Sequence, residues 1–171
     1  MKGLNLEMEL DSLLLESGIL KKDSLHFFKV LTTKSFEDTK LNLQKHSLPL
    51  EYTCNLLNYY VKPSTKISLH YVIDLLGLDK IITGINSKKF ADDIYFMAGI
   101  FPKYFERRIV SKRFYLNYSR NIYCSLSNVQ GDTFHKLCKN LPIYVRALNI
   151  MRERYLDGYA KKMINSDRTL H

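Results

Sequence analysis

Two adjacent carboxylates, Asp92 and Asp93, are followed by an arginine pair, Arg107 and Arg108, and then by Ser111, Tyr115 and Arg120. An arginine fork pairs bidentately with carboxylate or phosphate, which the point charge of a lysine does not reproduce. The segment therefore offers two kinds of chemistry. In the first, the bend at Pro102 folds Asp92 back onto Arg107 and Arg108 as an internal ion-pair clamp. Breaking such a pair, if buried, costs on the order of 3–5 kcal/mol. In the second, Arg107, Arg108 and Arg120, the hydroxyls of Ser111 and Tyr115, and the N-terminus of a helix starting there form an anion site. A helical wheel weakens the second for one member: Arg113, Asn117, Arg120 and Cys124 fall opposite the apolar stripe that holds Tyr115, which turns Arg120 toward solvent or a partner.

Other chemistry has less to stand on. Asp92 and Asp93 as an acid/base pair or Mg²⁺ ligands would have to overcome the divergence of about 100° between neighbours on a helix. His135 and Cys138 stand three apart, but a structural zinc needs four ligands and a catalytic one three plus water, and His26, His46 and His70 are scattered. No metal site is expected. Cys124 or Cys138 as a nucleophile has no histidine in view except His135. The phosphate-loop, dinucleotide and nucleophile-elbow strings are absent from the sequence. The chain reads as non-catalytic and without a cofactor.

Charge is distributed unevenly. All eight arginines lie at or after position 107; residues 1–100 carry 12 Lys against 12 Asp and Glu, whereas residues 101–171 carry 14 Lys and Arg against 5 Asp and Glu. Lys112, Arg113, Arg146, Arg154, Lys161 and Lys162 are expected to form a basic surface. Such a field suits an acidic protein surface, nucleic acid or anionic lipid without choosing among them. Tyr115, Tyr118, Tyr144, Tyr155 and Tyr159 fall at core spacing, so they read as packing residues and not as a platform for stacked bases. An interaction module that meets an acidic protein surface or a second copy is the expected function. Nucleic-acid binding through the basic C-terminal half is the alternative, and an enzyme or anion-binding site at the Asp92/Arg107/Arg108/Tyr115 cluster is the third.

The string from Asp92 through Gly99-Ile-Phe101-Pro102, Arg107-Arg108, Phe114-Tyr115 and Arg120-x-x-Tyr123 resembles an uncharacterised family of helical bacterial proteins. Glu51-Tyr52-x-x-Asn55 upstream and Asn149-x-x-Arg152-Glu153 downstream are similar as well. The resemblance covers roughly residues 50–156, leaves residues 1–45 outside, and implies a helical fold and no particular activity. Ser119 stands where that pattern has glycine, Phe114 where it has tyrosine, and Arg113 where it often has an acid.

The elements that must position these residues are helices. Seven glycines and four prolines in 171 residues, with apolar positions recurring at three- and four-residue steps, predict a single all-α domain of about six to eight helices. Short helices are expected over Leu6–Leu15 and from Ser24, a polar helix or loop over Ser35–Gln44, and a strongly apolar helix over Leu50–Val61 that Pro63 ends. Ile67–Leu78 follows, and then a helix carrying Phe90, Ile94, Met97, Ala98 and Phe101. Pro102 starts a brief turn, Ser111 a helix with the stripe Tyr115, Tyr118, Ile122 and Leu126, and Asp132 a short helix to Asn140. Pro142 is read as the start of the last helix, and the tail over 165–171 as frayed. The acids Glu7, Glu9 and Asp11 argue against a signal peptide, and three cysteines without a Cys-x-x-Cys argue for reduced thiols in the cytoplasm.

Overall fold

Residues 90–100 read Phe-Ala-Asp-Asp-Ile-Tyr-Phe-Met-Ala-Gly-Ile, apolar on all sides except for two aspartates, and every one of them is buried. A helix without a polar face belongs in the middle of a bundle. This is the arrangement in the computed structural model, which describes residues 24–61, 65, 85–108 and 110–157. The elements are α1 (Ser24–Asp38), α2 (Ser47–Tyr60), α3 (Ile85–Ile100), a 3-10 turn (Pro102–Arg107), α4 (Lys112–Gln130), α5 (Asp132–Met151) and a π turn (Arg152–Leu156), with no strand among the described residues. The fold is all-α. Five α-helices fall within the described residues; the expected helices over Leu6–Leu15 and Ile67–Leu78, and the tail, lie outside them. No helix among the described residues is long and apolar enough to cross a membrane.

Helix α3 is the axis, with α2, α4 and α5 packed against it, and α1 closes the other side of α2 and α5. Small residues mark the closest approaches. Ser119 of α4, fully buried, donates its hydroxyl to the Ala91 carbonyl at 2.9 Å. A Cβ added to Gly99 would lie 2.5 Å from Leu148 Cδ1 and 2.6 Å from Leu148 Cβ, so α5 can pack this tightly only over a glycine.

The end of α3 illustrates how backbone groups are satisfied. The last carbonyls of a helix have no partner within it. Here Asn149 Nδ2 donates to Ala98 O at 2.9 Å and to Gly99 O at 2.5 Å, and Arg152 Nη1 donates to Ile100 O at 2.7 Å. A cation at this end also complements the helix dipole. Asn149 and Arg152 thus tie the end of α5 to the end of α3.

Three local readings are revised. Ser35 and Phe36, read as part of a polar segment, are buried within α1, where Phe36 stacks on Tyr144 with ring centroids 5.5 Å apart. The inner face of α4 consists of Tyr115, Ser119 and Tyr123, with Tyr118, Ile122 and Leu126 only half-buried. The stripe is displaced because the short serine allows α4 to approach α3 and Tyr123 has a polar partner inside. Lastly, Pro142 does not start a helix but lies within α5. Its ring is exposed, where water can serve the backbone group it leaves unpaired, while Leu141, Tyr144, Val145 and Leu148 hold the helix on its buried side.

Helices α4 and α5 form an antiparallel hairpin around Gly131, whose φ of 89° lies where a side chain is strained. Cys124 and Cys138 are disulfide-bonded across it, with Cα atoms 4.8 Å apart, and Cys54 is the free, buried thiol. The expectation of three reduced thiols is therefore corrected, and with it goes the support that thiols gave to a cytoplasmic location. The two cysteines stand opposite each other only once both helices and the turn are in place.

Candidate functional site

Asp92 projects from α3 into a cluster drawn from three helices. Its Oδ1 accepts hydrogen bonds from Tyr52 of α2 at 2.5 Å and Tyr123 of α4 at 2.7 Å, and its Oδ2 accepts one from Lys88 at 2.7 Å. Asp93, with no exposure, accepts from Tyr60 of α2 and pairs with Lys89 at 2.9 Å. Burial first, and then the neighbouring carboxylate, push the Tyr52 and Tyr123 hydroxyls well above their ordinary value, so both remain proton donors. Aromatic rings enclose the polar atoms: Tyr52 meets Phe134 edge-on at 5.6 Å, and Tyr60 stacks on Phe96 at 4.3 Å.

Arg108 is not paired with Asp92 as the expected clamp requires. Asp92 already holds two tyrosines and a lysine. Arg108 instead turns back one helical turn, placing its guanidinium 4.2 Å from the centre of the Tyr104 ring and bonding the Tyr104 hydroxyl. The Arg107 side chain lies outside the described part. The described members of the expected anion site, Arg108, Ser111, Tyr115 and Arg120, are not brought together either. Ser111 is the N-cap of α4 and its Oγ accepts from the Phe114 N–H at 3.3 Å. Tyr115 is buried against Phe105, and Arg120 is exposed on the opposite side of α4. Arg108 does line an open depression of about 500 Å³ with Lys103, Tyr104 and Glu106.

On the hairpin, Arg113, Arg120, Lys139 and Arg146 are exposed, and none has an acidic partner among the described residues. Lys112 is half-buried; burial lowers its pKa and its ammonium reaches Asn149 Oδ1 at 3.4 Å. Arg154 is exposed, as expected of the basic surface, and also pairs with Asp38 at 3.4 Å, while Tyr155 donates to the same carboxylate at 2.5 Å. Lys161, Lys162 and Tyr159 lie outside the described residues. Cys138 is committed to its disulfide, with His135 exposed nearby.

Between α2 and α3 runs a groove of about 380 Å³ lined by Tyr52, Asn55, Leu56, Tyr59, Tyr60, Lys88, Lys89 and Asp92. Apart from Asp92, sequence reasoning assigned none of these to a site. One signal was present: Lys88/Asp92 and Lys89/Asp93 are i,i+4 pairs, which face each other on a helix. The tyrosines, 40 and 33 positions away from their aspartates, gave no such signal. The structure brings Tyr52, Asn55, Asp92 and Tyr123 from three separate helices to one place, and gathers Gly99, Asn149 and Arg152 at the far end of α3. Comparison with protein-family models, curated proteins and solved structures finds no match to this chain.

Proposed function

We propose that the protein is a non-catalytic interaction module that meets an acidic protein surface through the outer side of the α4–α5 hairpin. The observation that carries this reading is the fate of its cations. Residues 112–151 hold six basic residues, Lys112, Arg113, Arg120, Lys136, Lys139 and Arg146, against Asp132 alone. Lys136 pairs with Asp132 at 2.9 Å, and Arg113, Arg120, Lys139 and Arg146 are left exposed. Two contacts fix the register of the hairpin: Lys112 to Asn149, and Cys124 to Cys138. In that register Arg146 comes level with Leu116, between Arg113 and Arg120, which are separated by about 10 Å along α4. Three guanidinium forks at this spacing match carboxylates placed two turns apart on a partner helix.

Fluorescence anisotropy with a labelled acidic helical peptide, alongside single-stranded RNA and duplex DNA, tests the reading. The peptide is expected to bind the native chain and to be lost in the R113Q/R120Q/R146Q variant. Preferential binding of RNA or DNA, weakening steeply with salt as phosphate contacts release counterions, would replace this reading with the nucleic-acid one. Binding to none of the three refutes both.

A further inference from the structure

We infer that the groove between α2 and α3 is a binding site for a small aromatic anion, a ring system bearing a carboxylate or sulfonate. Its volume of about 380 Å³ is enough for two fused or linked rings. The walls are aromatic. Tyr52 and Tyr60 are half-buried, Tyr59 is 46% exposed and meets Tyr60 edge-on at 5.1 Å, and Leu56 lies among them.

The polar groups decide the charge of the ligand. The Asp92 side chain is 10% exposed, and its two oxygens already take three hydrogen bonds, so little acceptor capacity faces the groove. The Lys88 side chain is 38% exposed and uses one of its three N–H donors on Asp92. Its ammonium stands 5.2 Å from the centre of the Tyr52 ring, which places a cation directly against an aromatic wall. Asn55, exposed in the groove, and the hydroxyl of Tyr59 have no hydrogen-bond partner among the described residues. The groove therefore presents rings, a cation and uncommitted amide and hydroxyl donors, with its carboxylate turned inward. A ligand that satisfies all of these is flat, apolar over most of its surface and negatively charged at one edge. This site is separate from the hairpin face and does not depend on the function proposed for it.

The test uses the full chain and two fluorescent probes with the same rings, anilinonaphthalene sulfonate and its uncharged counterpart phenyl-naphthylamine. The sulfonate is expected to bind at one saturable site, about tenfold more tightly than the neutral probe. Asn55→Asp, which changes an exposed side chain that holds no part of the fold, is expected to weaken the sulfonate about tenfold and leave the neutral probe unaffected. Arg120→Gln, on the hairpin, is expected to leave both unchanged. Equal affinity for the two probes, or sulfonate binding that survives Asn55→Asp, overturns the inference; so does loss in Arg120→Gln, which would assign the anion to the hairpin.

Discussion

Lys88 and Lys89 on α3 and Arg113, Arg120 and Arg146 on the hairpin are all cations on helices, yet their situations are opposite. Each lysine has a carboxylate one turn along its own helix, and that carboxylate is also held by tyrosines from other helices. The three arginines have no acid among the described residues and remain exposed. Charge around α3 is architecture, because a buried carboxylate persists only when paired and hydrogen-bonded. Charge on the hairpin contributes nothing comparable to the fold and is available to something else. The local supply of partners, and not the density of charge, separates the two regions.

The contrast can be broken by experiment, and Asp92→Ala should have the largest effect. It strips the partner from Tyr52, Tyr123 and Lys88 together, and a loss of about 3 kcal/mol or more in urea denaturation is expected. Arg108→Ala would cost as much if the arginine were clamped to Asp92. Resting on Tyr104, it should cost about 0.5–1 kcal/mol. Gly99→Ala comes between them, at about 1–3 kcal/mol, since the new methyl must displace Leu148 across the α3–α5 contact. The R113Q/R120Q/R146Q variant should have the smallest effect per residue, within about 0.5 kcal/mol at each site. A large loss there would show that the hairpin arginines are structural after all and would erase the distinction.

Features set by local rules are legible in the sequence. Ser111 as the cap of α4, the short turn at Pro102 and the break at Gly131 all follow from one residue and its immediate neighbours. So does the buried face of α5 from Leu141 to Met151. Pro142 misleads for the same reason: the rule that a proline starts a helix is local, while the packing that carries α5 through it comes from helices far along the chain. Ser119 misleads a hydrophobic count, because its place inside depends on how closely α4 lies on α3 and not on its own polarity. The partners of Asp92 are the hardest to foresee. Arg108 is 16 positions away and complementary in charge, yet tyrosines 40 and 31 positions away hold the carboxylate. Electrostatic complementarity proposes pairs, but topology decides which residues meet.

The bond between Cys124 and Cys138 closes the end of the hairpin into a covalent ring that contains the Gly131 turn. Val129, 83% exposed just before that turn, sits where a protease would find the chain. A single cut there would open the ring without releasing a fragment: the two pieces would run as one species on a non-reducing gel and separate only after reduction. The disulfide would therefore keep α4 and α5 covalently joined if a new chain end or an inserted peptide were placed at this turn.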